Sequence, residues 1–463
     1  MSEVDLRALA RRGPLHFVGI GGAGMSALAE LALHFGVRVT GCDSQLTEVS
    51  ERLRGLGAEI WQGQDPVHVE NAGAVITTAA VPLESAELTA AIDLNIPVIK
   101  RAHALGGIVN HGTVIAVAGT HGKTTTTAMA AMILDEAGLQ PTAFVGGRVP
   151  QWHGGLRLGG DEYYVVEADE YDRSFLALEP TVAVVTTLEA DHLDIYGTLE
   201  GVKEAFETFL SLLPRYGRAI VCADDAGARD IARKVKADVV LYGIDDKHAQ
   251  LRATHVENRG RGSRFTVVDH GEPLGEVMLG TPGVHNVRNA LAAIAAAQFM
   301  DVPFDAVQRA LAGFSGVGRR FQEIGRARNI TIIDDYAHHP TEVRASLAAA
   351  RGAYGGRRLI AVFQPHLYSR TRDFAADFGA ALASADEAWI TNVYAAREAP
   401  LAGVSGQLIA RAAGDHAHYV ESIEALAHEL VPTLRSGDVC LFMGAGNIDT
   451  IAYRVLAELR GAS

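Results

Sequence analysis

The most chemically explicit stretch of the sequence is VIAVAGTHGKTTTTAMAAMILDEAG, from Val114 to Gly138. An apolar run predicts a strand, which breaks into Gly119-Thr120-His121-Gly122-Lys123-Thr124-Thr125, and the residues that follow predict a helix. Strand, glycine turn and helix N-terminus in that order make a phosphate cradle. Glycines let backbone N–H groups approach oxygens, and the helix end adds about half a positive charge. Lys123 can reach the outer phosphates, and the Thr124 hydroxyl can join a Mg2+ shell. The spacing departs from the usual P-loop, because Val117 stands five residues before Gly122. The plainer alternative is an ordinary glycine turn before a helix.

A second glycine loop, Gly19-Ile20-Gly21-Gly22-Ala23-Gly24, follows the apolar LHFV and leads into Met25, Ser26 and a helical pattern. Asp43 ends the next expected strand, at the spacing of a ribose-binding acid. By itself this pattern reads as a dinucleotide site. Its physics specifies only a pyrophosphate against a helix end, and a UDP-sugar carries the same group. Glycines serving helix–sheet packing alone are the remaining possibility. A dehydrogenase would leave the Lys-Thr loop without a task.

Acids and histidines gather after other expected strands. YYVVEADEYDRSFL carries Glu167, Asp169, Glu170 and Asp172, and VVTTLEADHLDIYG carries Glu189, Asp191, His192 and Asp194. Most such acids are solvated or cap a turn, but a subset near Thr124 would supply hard oxygen ligands for Mg2+. His192 is either a hydrogen-bonded structural residue or a ligand. GVHNVRNALAA offers His285, Asn286 and Asn289 at a helix start, where a cap is the simple reading. Arg319 and Arg320 form a solvated pair or a phosphate clamp. IIDDYAHHPTEV sets an acid pair and a histidine pair on one loop without the further ligands of a zinc site. QPHLYSRTRDF adds His366, Ser369, Arg370 and Arg372, a basic loop suited to a carboxylate.

The elements that must position these residues alternate short β-branched runs with Ala/Leu-rich helical patterns. That is the signature of an α/β fold built from parallel sheets wrapped by helices. The segment LRATHVENRGRGSRFTVVDHGEPLGEVMLG instead alternates and turns like a small antiparallel patch. With 463 residues, about three domains are expected. A hydrophobic share of 48% and a charged share of 21% are ordinary for a soluble enzyme or binding protein. The net charge of −14 disfavours broad nucleic-acid binding. The N-terminal MSEVDLRALARRG lacks the apolar run of a leader, and no stretch approaches a membrane span. Cys42, Cys222 and Cys440 lie far apart with no metal-ligand spacing, as suits a reducing compartment, so a cytoplasmic location is expected.

The succession GIGGAGMS, GTHGKTTT, EADE, EADHLD, HNVRNALAA, GRRF, DDYAHHPTE, QPHLYSRT and GAGNI resembles the Mur ligases over essentially the whole chain. The resemblance implies three domains: a Rossmann-like UDP-sugar domain at 1–108, a central P-loop ATPase domain at 109–315, and a Rossmann-like domain at 316–463 that helps bind ATP and the amino acid. It implies ATP-dependent joining of L-alanine to the lactyl carboxylate of UDP-N-acetylmuramate through an acyl phosphate, with Mg2+ or Mn2+. It further implies a monomer or weak homodimer with no nucleic-acid or membrane partner.

Carried residue by residue, the resemblance puts Gly119 to Thr125 on ATP, with Lys123 on its phosphates. Thr124, Glu167 and His192 fall on metal, and Asn286, Asn289, Arg320 and Asp335 on the nucleotide. Tyr336, His338 and Arg370 fall at the alanine and acyl-phosphate site, and Gly19, Gly21, Gly22, Gly24, Met25, Ser26 and Asp43 on the UDP-sugar.

Two departures stand out. Sibling ligases carry a carbamylated lysine on the helix after the Asp-His motif, whereas here Lys203 is the lone lysine of that helix and sits too early. Leu367 stands where some relatives have arginine. Rival readings are a ligase that adds an intact tripeptide to the same sugar, a folate polyglutamate ligase, an NAD-dependent oxidoreductase, and a silent nucleotide-binding regulator. The first glycine loop argues against the tripeptide ligase, the N-terminal UDP domain against the folate enzyme, and retention of Lys123, Glu167 and His192 against the regulator.

Overall fold

The computed structural model describes residues 5–78, 80–396 and 398–461, with backbone alone at 193 and 194. The side chain of Asp194, one of the acids named above, therefore lies outside the described residues. The chain forms two compact units. One takes the residues up to Gly146 together with Trp152–Leu251 and Ala292–Val307; the other takes Gly147–Gln151, Arg252–Leu291 and Gln308 onward.

Two sheets lie in the first unit. β1 (Leu15–Val18), β2 (Val39–Asp43), β3 (Glu59–Gln62), β4 (Ala74–Thr77) and β5 (Val98–Lys100) run in the order β3-β2-β1-β4-β5, every neighbouring pair parallel. The chain reverses direction across the sheet between β1 and β4, which opens a crevice at the strands' carboxyl ends. The first glycine loop leaves β1 at that point.

The second sheet holds β6 (Thr113–Ala118), β7 (Thr142–Val149), β8 (Gly154–Arg157), β9 (Tyr163–Glu167), β10 (Val182–Val185), β11 (Arg218–Cys222) and β12 (Asp238–Gly243). Their order is β12-β11-β10-β6-β9-β7-β8. Val114–Ala118 is buried on both faces, which is why a parallel central strand reads as an unbroken apolar run. β6 lies between β10 and β9, with Val117 opposite Glu167 and Ala118 opposite Val185. The segments after β6, β9 and β10 therefore emerge side by side. One continuous apolar core runs from Leu6 to Ala232, so the two domains expected on either side of residue 108 share an interior.

In the second unit, β13 (Leu251–Arg259), β14 (Gly262–Asp269) and β15 (Glu272–Leu279) form the expected antiparallel patch, with a bulge at Val267/Val268. β16 (Gln322–Ala327), β17 (Ile330–Asp335), β18 (Leu359–Phe363), β19 (Glu387–Thr391), β20 (Ala417–Val420) and β21 (Val439–Met443) run β16-β17-β21-β18-β19-β20. Alternate residues fill the two faces: Ile333, Ala361 and Leu441 on one, Ile332, Ile360 and Phe442 on the other. β16 is an antiparallel edge strand absent from the sequence reading. It joins β17 through Arg328 and Asn329, whose φ values of 49° and 62° are those of a tight hairpin turn.

The first glycine loop rests on a buried polar knot. The Cys42 carbonyl accepts the N–H groups of Gly19 (2.8 Å) and Ile20 (3.0 Å), and its thiol donates to Glu87 Oε2 (2.8 Å). The same carboxylate meets His16 Nε2 (3.2 Å), His68 Nδ1 (2.7 Å) and the Asp65 N–H (3.3 Å). Burial alone would raise the Glu87 pKa, but the hydrogen bonds from His16, Cys42 and His68 outweigh it and hold it at about 2, below the ordinary 4.5. A carboxylate with a depressed folded value stabilises above the unfolded value, and that stabilisation fades as pH falls towards the folded one. E87Q, which turns an acceptor into a donor among donors, is expected to cost about 2 kcal/mol at pH 7. The gap to wild type should shrink between pH 4.5 and 2. Denaturant titrations at several pH values measure this; equal stability at pH 7 would refute it.

Candidate active site

At the first loop, Gly22 precedes the helix Ala23–His34, and the Gly21 N–H donates to Asp43 Oδ2 (2.9 Å). Asp43, expected to face a ligand, thus holds the loop from within. Met25 is 2% exposed in the core, so its contribution to a ligand is confined to its backbone N–H. The Ser26 hydroxyl donates to the Ala23 carbonyl (3.1 Å). The Arg101 guanidinium packs over Gly24, where a Cβ would meet Nη1 at 3.0 Å. Sequence reading passed over this arginine because nothing in IPVIKRAHAL marks it.

At the second loop, Gly119 has φ +133° and lies against Thr186, and Gly122, with φ +84°, precedes the helix Lys123–Glu136. Thr120 and His121 are tied to Thr187 and Glu189: the Thr120 N–H donates to the Thr187 carbonyl (2.9 Å) and the His121 N–H to Thr187 Oγ1 (2.9 Å). The Glu189 N–H donates to Thr120 Oγ1 (2.9 Å). Thr125 is buried behind the loop. The Thr124 hydroxyl donates to Glu167 Oε1 (2.9 Å), while Glu167 Oε2 accepts the Gly146 N–H.

Lys123 Nζ donates to the Gly119 carbonyl (2.7 Å) and to both oxygens of Glu170 (2.8 Å each). Burial would lower the Lys123 pKa, but the carboxylates of Glu170, Asp169 and Glu167 outweigh it and raise it. His192, at φ +52°, sets Nε2 3.7 Å from Glu170 Oε1. The structure thus brings Lys123, Thr124, Glu167 and His192 together and adds Glu170, which the sequence could not separate from its acidic neighbours. An oxygen-rich set with one imidazole suits a hard divalent cation. Lys203 pairs instead with Asp230 (3.6 Å).

In the second unit, Asn286 Nδ2 donates to the Pro282 carbonyl (2.8 Å) and Asn289 Nδ2 to Asn286 Oδ1 (3.3 Å), both residues buried. Desolvation, reinforced by Arg288 and Arg320, pushes the neighbouring His285 down to about 4. The Arg319 and Arg320 guanidinium groups both lie over the Tyr336 ring, at 5.0 and 5.2 Å from its centre. Arg319 is committed to the Gly444 (2.8 Å) and Gly446 (3.2 Å) carbonyls, while Arg320 lies 3.6 Å from Glu342. Asp335 ends β17; its carboxylate accepts from the Ser346 hydroxyl (2.6 Å) and the Ala337 N–H (3.0 Å), and burial raises its pKa to about 6.

His338 stacks edge-on against Tyr336 and His366, and His366 stacks on Tyr394 and lies 3.4 Å from Arg370 Nη1. His339 is the N-cap of the helix Pro340–Ala353, in a capping box with Glu342, so the histidine pair divides its roles. Glu342 stands three residues after the cap, a signal the sequence carried. Leu367, at φ +69°, leads the helix Tyr368–Leu382. Ser369 is bound by Glu398, and Arg372 pairs with Asp373 at the surface.

Sheets with the order seen here, each presenting a glycine or acidic loop at its strand ends, suit a nucleotide-binding α/β enzyme. Family models described as "Mur ligase family, catalytic domain", "Mur ligase middle domain" and "Mur ligase, glutamate ligase domain" match residues 14–113, 117–297 and 319–446. The chain belongs to the Mur ligase family. It is 43% identical over 452 residues to the UDP-N-acetylmuramate–L-alanine ligase of Geobacter sp. (strain M21), covering 97% of this chain and 98% of the relative. It is 46% identical to the enzyme of that name from Burkholderia thailandensis, covering 96% and 97%. Among solved structures it is similar to the UDP-N-acetylmuramate-alanine ligase MurC of Thermotoga maritima, with TM-score 0.81, 30% identity and coverage of 97% and 100%. The murein peptide ligase of Psychrobacter arcticus gives TM-score 0.69 and 27% identity, with coverage of 96% and 98%.

Gly119→Ala would set a Cβ 2.1 Å from Thr186 Oγ1 and 2.9 Å from two backbone nitrogens, so it is expected to displace the loop and abolish binding of an ATP analogue in calorimetry. Gly19→Ala, with φ +76° and no atom within 4 Å, is expected to cost only backbone strain, about 1 kcal/mol of stability. Undiminished analogue binding by Gly119→Ala would contradict this account of the loop.

Proposed function

We infer that this chain joins L-alanine to the lactyl carboxylate of UDP-N-acetylmuramate at the expense of ATP, a step of peptidoglycan synthesis. The observation that carries the reading is the convergence of Lys123, the Thr124–Glu167 pair and His192 at the carboxyl ends of β6, β9 and β10. The chain that holds them matches ligases named for this reaction over almost its whole length.

A carboxylate is a poor acyl donor, so one of its oxygens first attacks the γ-phosphorus of ATP and ADP leaves. The amine of alanine then attacks the acyl phosphate, a tetrahedral intermediate collapses, and phosphate departs with the amide formed. The first step brings anions together, so a fixed cation must face the phosphates, and the partly buried, charged Lys123 supplies it. Thr124, Glu167 and His192 are the residues that would hold Mg2+, which when bound neutralises phosphate charge.

Backbone N–H groups of the Gly119–Thr125 loop cradle the phosphates, and Asn286, Asn289, Arg320 and Asp335 are assigned to the rest of ATP. The Gly19–Ser26 loop takes the sugar diphosphate, with Asp43 bracing it. Tyr336, His338 and Arg370 are assigned to alanine and the acyl phosphate, the guanidinium suiting a carboxylate. On this reading 1–108 serves the UDP-sugar, 109–315 serves ATP and 316–463 serves the amino acid, and the substrates are those of the cytoplasm.

Phosphate release from ATP and Mg2+ is expected only when UDP-N-acetylmuramate and L-alanine are both present, and Lys123→Ala is expected to lower kcat by about 100-fold or more. Release with the stem tripeptide but not alanine would assign the tripeptide reaction instead, and no release with any acceptor would overturn the ligase reading.

A further inference from the structure

Lys123 is held by acceptors of the protein itself. Its ammonium has three N–H groups, and its short contacts are three acceptors: the Gly119 carbonyl and the two Glu170 oxygens. The carbonyl belongs to the loop itself, so a phosphate oxygen can take the lysine only by displacing Glu170.

That carboxylate is not a casual neighbour. Glu170 is 3% exposed, and its carbonyl accepts the Tyr196 hydroxyl and the Arg173 N–H (3.0 Å). Asp172 and Arg173 are two consecutive non-glycine residues in the left-handed region, at φ 52° and 55°. The turn is anchored by the Phe175 N–H on the Asp169 carbonyl (2.9 Å), with the Phe175 ring in the core. Strain of that kind persists only where the surroundings enforce it.

A displaced Glu170 would be a buried carboxylate beside Glu167 and Asp169 with its cation removed, an arrangement that costs several-fold in any equilibrium unless a new positive charge replaces the old. The Thr124–Glu167 pair is where a divalent cation would stand. We propose that Glu170 is a positioning residue that exchanges Lys123 for a divalent cation when nucleotide binds, making nucleotide and metal binding mutually dependent. The proposal rests on the reading that Lys123 takes the ATP phosphates.

The experiment is calorimetric titration of the full chain with the non-hydrolysable analogue AMP-PNP, in Mg2+ and in EDTA, for wild type, E170D and E170Q. Wild type is expected to bind about ten-fold or more weakly without Mg2+. Metal-free affinity should rise in the order wild type, E170D, E170Q, because the shorter and then the uncharged side chain competes less for Lys123. The Mg2+ dependence should shrink in the same order. A purely structural role would leave the ratio of the two affinities unmoved. An unchanged ratio in E170Q, or in E170D should E170Q fail to fold, overturns the proposal. Absence of AMP-PNP binding by wild type under both conditions would instead overturn the ATP reading on which it rests.

Discussion

Charge has to be accommodated at the ends of strands whose middles cannot bear it. A parallel strand buried on both faces bears ionised side chains poorly along its length, so such groups gather towards its ends. All three parallel sheets obey this constraint: Asp43 is the last residue of β2, Glu167 of β9 and Asp335 of β17. Crossover connections bring such ends to one edge, so acids, glycines and lysines scattered over the sequence meet there. The site is less an addition to the fold than the place where the fold can hold ions.

These terminal acids do not all face a ligand. Asp43 receives the Gly21 N–H, and Asp335 receives Ser346 and Ala337, so each braces its own loop. Glu87 does the same from beneath, drawing β1, β2 and the turn after β3 onto one carboxylate. Around Lys123 the balance differs: Glu167, Asp169 and Glu170 stand about one ammonium, an excess of negative charge in a pocket meant for an anion. Such a pocket admits a polyphosphate only with a counter-charge, which gives a divalent cation a structural reason to be there.

Much of this was legible in the sequence, and for identifiable reasons. The apolar runs before each glycine or acidic loop named the central strands, since burial on both faces leaves a plain signal, and the ordered motifs indicated the family. What could not be read depended on sheet order or on three-dimensional convergence. Seven acids stand in the two motifs at the ends of β9 and β10, and only the placement of β6 between those strands singles out Glu170 as the partner of Lys123. β16 was missed because its hairpin turns on Arg328-Asn329 rather than a glycine pair. His338 and His339 were read together as a histidine pair, although the following Pro340 and Glu342 mark His339 as a helix cap. Cys42, His16 and Glu87 come from three separate segments, so no spacing could announce their contact.

The three cysteines carry a practical consequence. Cys42, Cys222 and Cys440 form no disulfide and are no more than 2% exposed, and burial pushes the thiols of Cys42 and Cys440 well above their usual range. The folded chain therefore presents no reactive thiolate at its surface. Each sulfur lies in a different sheet: Cys42 in β2, Cys222 in β11 and Cys440 in β21. The rates at which the three become alkylated thus form a built-in clock for the opening of each sheet, readable by mass spectrometry without adding a label or changing a residue.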